Sequence, residues 1–128
     1  MIDVLLPLPP SINKSERRFS HEYRLWLDAV VASAQTLIAP TGKIETKFDL
    51  VLIVAKDMRG DLDNRLNHIM DFLVEGELVA DDGDARAVIV VRDEGELDRF
   101  QCRMIVRPRC DRDLARIIID ALVAEGGA

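Results

Sequence analysis

The sequence predicts an α+β fold in which helices pack on a mixed β-sheet. Its 128 residues are enough to bury one core and too few for two domains, so residues 1–128 are treated as one domain. Hydrophobic residues make up 48% of the chain and charged residues 31%, proportions that are ordinary for a globular protein. Strand and helix patterns follow the order β-α-β-α-β-β-α, which indicates helices packed on a sheet.

The first part of the chain predicts a strand, a loop and a long helix. Residues 2–8, IDVLLPL, are apolar, and Pro9 and Pro10 end that strand. After the loop PPSINKSERR, Ser20 occupies a favourable N-cap position. Helical spacing then continues to about Ile38, through Trp26, Ala29, Val30, Ser33 and Leu37.

A second strand and a second helix follow. Residues 47–55, KFDLVLIVA, are apolar or β-branched at nearly every position, as expected of a strand covered on both faces. After Gly60 the pattern changes to helical spacing, and Gly76 is placed near the C-cap. The predicted apolar stripe of this helix consists of Leu66, Ile69, Met70, Leu73 and Val74.

Two further strands and a helix complete the prediction. The strands are AVIVV at 87–91 and residues 99–108, which include FQCRMIVRP, and an acidic turn around Gly95 joins them. In the second strand, Phe100, Cys102, Met104 and Val106 alternate toward one face. The last helix covers about 111–124. Its apolar positions are Leu114, Ile117, Ile118 and Leu122.

Several classes of protein are disfavoured by composition. No apolar run approaches the ~18 residues of a membrane span, and the N-terminus lacks the basic-then-apolar pattern of a signal peptide. Cys102 and Cys110 do not form a CxxC pair and have no neighbouring histidine. We therefore expect reduced thiols in a cytoplasmic protein, with no zinc site and no membrane partner.

The net charge of −6 is unevenly distributed. Residues 61–98 contain 12 acids and three bases, a local balance of −9, whereas the rest of the chain has 14 bases and 11 acids. The basic stretches include Lys14, Arg17, Arg18, Arg99, Arg103, Arg107 and Arg109. An acidic patch can bind cations and flanking bases can hold phosphates; a merely solvated acidic surface is the alternative.

Aspartates cluster around the second predicted helix. Asp63, Asn67 and Asp71 are four residues apart, so each lies only about 40° around the helix from the previous one. Asp61 precedes the helix, and Asp82 follows it in the loop that enters the next strand. We expect these four carboxylates to converge at one end of the sheet.

Two interpretations of the aspartates remain open. Aspartate favours helix N-termini, where it caps free N–H groups and meets the positive end of the dipole. Clustered carboxylates also repel one another unless a cation compensates, which favours a hard divalent ion such as Mg²⁺ or Mn²⁺. An EF-hand is excluded, because a loop counted from Asp61 has Arg65 at position 5, no glycine at 6 and Phe72 at 12.

The motifs around these acids resemble those of a known family. DLDNRLNHIMDFL, followed by VADDGDA, looks like the DLDN…K…D…DD signature of the RusA-type Holliday junction resolvases, which are endonucleases. The N-terminal LPLPPSINKSERR and HEYRLWLDAV are similar to that family's opening strand, Pro-Pro-Ser-x-Asn loop and Tyr-Arg helix. The resemblance covers roughly residues 4–107.

The resemblance implies Mg²⁺-dependent cleavage of branched DNA, such as a four-way junction, by a homodimer in which each subunit cuts one strand. The family's metal-binding acids match Asp61, Asp63 and Asp82, with Mn²⁺ as the alternative ion. Asp71 matches a further acid on the helix, and all four acids are expected to be catalytic. Asn64 matches the asparagine after the second acid and is expected to brace the loop.

The same resemblance implies a DNA-binding loop near the N-terminus. The family's PPSxN loop corresponds to residues 9–13. The residues expected to approach DNA are Asn13, Lys14, Arg17, Arg18, Arg59 and Asn67. For each basic loop residue, a solvated surface role is the alternative.

Asn67 stands where the family usually has a lysine. A lysine would offset phosphate charge, whereas asparagine can only donate or accept hydrogen bonds. Lys56 and Arg59 lie on the approach to Asp61 and are better substitutes than Arg65, which lies about 200° around the helix from Asn67. Three hypotheses follow: an active structure-selective endonuclease, a branched-DNA-binding module with little or no cleavage, and a protein whose acids only cap helices and solubilise it.

Overall fold

Four strands form one mixed sheet in the computed structural model, which describes residues 1–11, 21–38, 42–95, 97–109 and 114–126. The strands are β1 (Ile2–Pro7), β2 (Phe48–Ala55), β3 (Ala85–Asp93) and β4 (Gln101–Pro108). Their order across the sheet is β1-β4-β2-β3. The pairs β1–β4 and β4–β2 are antiparallel, whereas β2 and β3 are parallel. The predicted fold class, α+β with a mixed sheet, is confirmed.

The helices are α1 (His21–Ala32), α2 (Ala34–Ile38), α3 (Asp63–Glu75) and α4 (Leu114–Gly126), with a short 3₁₀ turn at Asp82–Asp84. Helix α3 connects the parallel strands β2 and β3, a connection that requires a crossover element of this kind. None of the helices in the described ranges is long and apolar enough to cross a membrane.

The helix predicted to continue to Ile38 is instead interrupted at Ser33. Its backbone N–H donates to the carbonyl of Val30 at 3.2 Å, and its hydroxyl donates to the same oxygen at 2.9 Å. The carbonyl of Ser33 then accepts from Thr36 N at 3.2 Å. Such short-range bonds replace the regular helical ladder and separate α1 from α2.

The core lies between the sheet and the helices that precede β3. Strand β2 presents Phe48, Leu50, Leu52 and Val54 to it, all fully buried. Cys102, Met104 and Val106 of β4 are also fully buried, as the alternation in this strand predicted. The helical side of the core contains Tyr23, Trp26, Leu27, Val30, Ala34, Ile69, Phe72 and Leu73. The opposite face of β2 is only half-buried at Val51 and Ile53, so this strand is less completely covered than the sequence predicted.

The buried face of α3 differs from the predicted stripe. Ile69 and Leu73 are fully buried as predicted, but Val74 is 39% exposed. Phe72 is fully buried in its place, with its ring 6.2 Å from that of Trp26 in an edge-on contact. The helix is therefore rotated from the predicted orientation, and this rotation also carries Arg65 and His68 into the interior.

The two last strands do not pair with each other. Strands β3 and β4 flank β2 on opposite sides, so the central strand separates them. Helix α4 lies against β3, and none of its residues is buried. Phe100, which the sequence placed with the buried residues of β4, lies before the strand and is 66% exposed.

Candidate functional site

The segment after β2 is held in place by an arginine from the neighbouring strand. Arg92 donates to the carbonyl oxygens of Met58 at 2.7 Å and Gly60 at 2.8 Å, with a longer contact of 3.5 Å to that of Lys56. Gly60 has φ +98°, a conformation that L side chains rarely adopt. Charged hydrogen bonds to several carbonyls fix the backbone that leads into α3.

Asp61 and Asp63 occupy the end of this fixed segment. Both are exposed, and Asp63 is the first residue of α3. The N-cap is Leu62, which makes no side-chain capping bond, so neither aspartate occupies the capping position. Asp63 does lie in the first turn, where its charge meets the positive end of the helix dipole, as the alternative interpretation also expected. In the described part of the chain, neither carboxylate has a hydrogen-bond or ion-pair partner.

Asp71 has a partner on a neighbouring helix. Its Oδ2 accepts a hydrogen bond of 2.8 Å from the Tyr23 hydroxyl, which links α3 to α1. The Tyr23 ring stacks on His68, with 4.3 Å between ring centroids. Burial, followed by the bond to Asp71, raises the pKa of Tyr23 well above its ordinary value, so the hydroxyl remains a donor throughout the physiological range.

Asp82 lies at the opposite end of the β2–β3 pair from Asp61 and Asp63. It begins the 3₁₀ turn that enters the N-terminal end of β3, whereas the other two aspartates follow the C-terminal end of β2. Because the strands are parallel, these are opposite ends, and nine-residue β3 covers about 26 Å between them at roughly 3.3 Å per residue. The expected convergence of the four carboxylates at one end of the sheet is therefore not observed within one chain.

The described residues contain no group of three or more His, Cys, Asp or Glu side chains that could hold a metal ion. Mg²⁺, however, is often held by only one or two carboxylates, with water and substrate phosphates completing its octahedron. Asp61 and Asp63, exposed and separated by one residue, fit that smaller donor set. Asp82 does not belong to it.

The predicted DNA-binding residues are only partly covered by the structure. Those of the N-terminal loop, namely Asn13, Lys14, Arg17 and Arg18, lie outside the described residues, as do Ser20 and Cys110. Arg59 is exposed just before Asp61, and Asn67 is exposed on α3. The side chain of Asn64 is also outside the described part, so its expected bracing role is untested.

Arg65 is the site residue that the sequence interpretation missed. It was judged unsuitable because it points away from Asn67, yet that orientation directs it toward the interior, where it is only 8% exposed. Its Nη2 donates to the carbonyl of Arg59 at 3.1 Å, while Nε and Nη1 are buried and have no partner among the described residues. A charged residue four positions before Ile69, on the buried face, was the signal in the sequence.

Arg65 lines a cavity of about 280 Å³ at the same end of the sheet as Asp61 and Asp63. The cavity is formed by Leu8, Arg59, Arg65, Arg99 and Phe100, three of which carry guanidinium groups. Leu8 directly follows β1, and Arg99 and Phe100 directly precede β4. Arg59 lies on the approach to α3, and Arg65 is in its first turn. The hydrogen bond from Leu8 N to the carbonyl of Phe100, at 2.8 Å, holds two of its walls together.

Other arginines of the sheet are engaged in ion pairs. Arg103 forms two bonds with Asp3, at 2.8 and 2.6 Å, and this bond holds the pKa of Asp3 below its ordinary value. Arg107 contacts the buried carboxylate of Asp49 at 3.3 Å. The arginines that line the cavity are thus distinct from those that stabilise the sheet.

No model of a known protein family matches this chain, and no curated protein matches it significantly.

Proposed function

We propose that the protein is a metal-dependent endonuclease that acts on branched DNA, with Asp61 and Asp63 as ligands of a Mg²⁺ or Mn²⁺ ion. The observation that carries the proposal is that exposed carboxylates and a cluster of arginines lie at the same end of the sheet. Exposed carboxylates without partners in the described part of the chain follow Arg59, and a cavity lined by three arginines lies beside the same segment. Phosphodiester cleavage needs both metal-binding acids and cationic groups that hold phosphate.

The residues of the candidate site would have separate roles. A bound Mg²⁺ would activate water and stabilise charge on the leaving oxygen. Asp61 and Asp63 would supply its protein ligands, and the Arg92 bonds to the preceding carbonyls keep both aspartates in a defined position. Arg59 would neutralise charge on the DNA backbone. The motif resemblance to the RusA-type resolvases supports four-way junctions as the substrate class.

A nuclease assay on a synthetic four-way junction, with and without Mg²⁺, tests this proposal. We expect cleavage only with the metal, and loss of cleavage in Asp63→Asn with the fold retained, since the substitution removes one exposed charge and little packing. Lys43→Gln, which changes an exposed residue before β2, is a control that should cut at the parent rate. Metal-dependent cleavage by Asp63→Asn at the parent rate would show that the acids are assigned wrongly.

A second candidate is a module that binds branched DNA with little or no cleavage. Two observations favour it: Asp82 is at the far end of β3, and Asn67 supplies no charge where a lysine is usual in the resembled family. Junction binding without cleavage at any Mg²⁺ or Mn²⁺ concentration would support this candidate over the first.

A homodimer is proposed for either candidate, because two strands of a junction must be engaged and a two-fold axis provides two equivalent sites. Helix α4 supports this with an apolar surface: Ile119, Leu122 and Val123, at i, i+3 and i+4 spacing, are 46%, 63% and 67% exposed. Light scattering should give twice 14.4 kDa. Leu122→Glu should shift the mass toward the monomer, and a monomeric parent protein, free and DNA-bound, would remove the dimer from the proposal.

A further inference from the structure

The cavity beside α3 is selective for anions by its composition. Three of its five lining residues are arginines, and none of the described residues that line it is acidic. Its volume of about 280 Å³ is close to the lower end of the ~300–1,000 Å³ range of small-molecule sites. It is therefore suited to one small negatively charged group rather than to a whole ligand of drug size.

Arg65 is a buried cation whose charge is not compensated by the described residues. It is more than nine-tenths buried, and of its donors only Nη2 has a partner, the carbonyl of Arg59. Burial also holds its pKa below the ordinary arginine value. A buried guanidinium without a counter-ion is unfavourable, and the charge of an anion in the cavity that Arg65 lines would offset that cost.

Phe100 provides an aromatic surface at the edge of the cavity. The residue is 66% exposed although its backbone is fixed: its N–H donates to Asp98 Oδ1 at 2.8 Å, and its carbonyl accepts from Leu8 N. The guanidinium of Arg99 lies 4.8 Å from the ring centroid. An exposed aromatic ring beside arginines is the combination that binds unpaired nucleotides, with the base stacked on the ring and the phosphate held by the cations.

We infer that this cavity binds the phosphate of an unpaired nucleotide in a DNA strand, with the phosphate at Arg65 and the base stacked on Phe100. Arg59 and Arg99 add positive charge to its lining. The inference rests on the proposed function only for the DNA strand as the source of the nucleotide. Since Arg59 and Arg65 flank Asp61 and Asp63 in the chain, a strand anchored here would be held beside those carboxylates.

The first test is an NMR titration with four probes: thymidine 5′-monophosphate, inorganic phosphate, thymidine and a glutamate-rich peptide. The readout is the Nε–Hε resonance of Arg65, which has no hydrogen-bond partner among the described residues. We expect the monophosphate to shift this resonance at lower concentration than phosphate, and thymidine alone to leave it in place. Equal affinity for phosphate and the monophosphate would overturn stacking on Phe100, and an unmoved Arg65 resonance would overturn the site. Stronger binding of a glutamate-rich peptide would overturn it in favour of an acidic protein partner.

Two variants and one control extend the test. Arg65→Met keeps the length and apolar packing of the side chain and should weaken binding of the monophosphate about tenfold or more. Phe100→Ala removes an exposed ring and should weaken it about fivefold or more, the range known for base stacking. The exposed Lys43→Gln removes the same formal charge before β2 and should bind like the parent. Should Arg65→Met fail to fold, Phe100→Ala still decides the outcome, because its ring is largely outside the core.

Junction-binding measurements without a cleavage-supporting metal separate this inference from the proposed function. If the parent protein binds and cuts junctions while Arg65→Met and Phe100→Ala bind both junction and monophosphate like the parent, the cavity is overturned and the nuclease proposal is retained. If the monophosphate binds with the expected dependence on both residues but junction DNA does not bind at all, the cavity is supported and the nuclease proposal fails.

Discussion

The hydrogen bond from Tyr23 to Asp71 should contribute measurably to stability, because it joins α1 to α3 through a charged acceptor at 2.8 Å. Bonds to charged groups contribute roughly 1.5–3 kcal/mol, and the exposure of Asp71 places this one at about 1–2 kcal/mol. At about 2.1 cal/mol/K per residue, unfolding 128 residues has an entropy of roughly 0.27 kcal/mol/K. Tyr23→Phe should therefore lower Tm by about 4–7 °C.

A double-mutant cycle tests whether the bond itself is responsible. Tyr23→Phe, Asp71→Ala and the double variant would be unfolded in urea, with the fluorescence of Trp26, the only tryptophan, as the signal. Since either single change removes the same bond, the double variant should lose less than the two single losses combined, by about 1 kcal/mol. Strict additivity would refute the reasoning.

In the junction assay, a structural role for Asp71 predicts that Asp71→Ala reduces cleavage no more than Tyr23→Phe does, whereas a much larger loss would establish the catalytic role that the motif resemblance implies.

Three further predictions concern pH and the acidic segment. Burial, opposed by Asp71 and assisted by Arg65, lowers the pKa of His68, so the unfolded chain binds a proton first as the pH falls below about 6.5. Stability should then decrease by up to about 1.4 kcal/mol per pH unit as the pH falls toward the pKa of His68 in the folded protein. His68→Phe, which retains a ring against Tyr23, should show a shallower decrease in urea unfolding between pH 7 and 5. An unchanged slope would contradict this. Asp82→Asn should retain more junction cleavage than Asp63→Asn at saturating Mg²⁺, because it lies at the other end of β3; equal losses would contradict the separation. Asn67→Lys should raise the single-turnover cleavage rate by about tenfold, or ~1.4 kcal/mol of barrier, by adding a positive charge on the helix that begins at Asp63; no change would show that Asn67 does not face the phosphate.

The strands were more predictable than the helix boundaries. The nearly continuous apolar run KFDLVLIVA is a strong strand pattern, so the residues themselves predict that β2 is a strand and where it lies. The interruption at Ser33 was not predictable in the same way. Serine is acceptable within a helix, and only in the folded chain do its hydroxyl and N–H both bond to the carbonyl of Val30.

The buried face of α3 shows where periodicity alone fails. The predicted stripe maximised apolar residues at helical spacing and so included Val74 and left out Phe72. The structure instead buries the larger aromatic ring against Trp26, and the same rotation buries Arg65 and His68. Counting hydrophobic residues always places a charged residue outside the core, because a hydrophobicity value reflects only the cost of removing the charge from water. It does not include hydrogen bonds or bound groups that could offset that cost. Arg65, which lines the cavity of the candidate site, was therefore a residue whose burial the apolar pattern could not predict.

The separation of Asp82 from Asp61 and Asp63 was, by contrast, available in the predicted order of elements. A helix between two neighbouring strands makes them parallel, and parallel strands start at one edge of the sheet and end at the other. A residue that follows the first strand and a residue that precedes the second must then lie at opposite edges, however close they are in sequence. Spacing along the chain suggested one cluster of acids, whereas topology divides them into a pair beside the arginine-lined cavity and a third acid about one strand length away. The pair, with its exposed carboxylates and neighbouring cations, fits the proposed phosphodiester chemistry better than the third acid does. The comparison of Asp63→Asn with Asp82→Asn tests that difference directly.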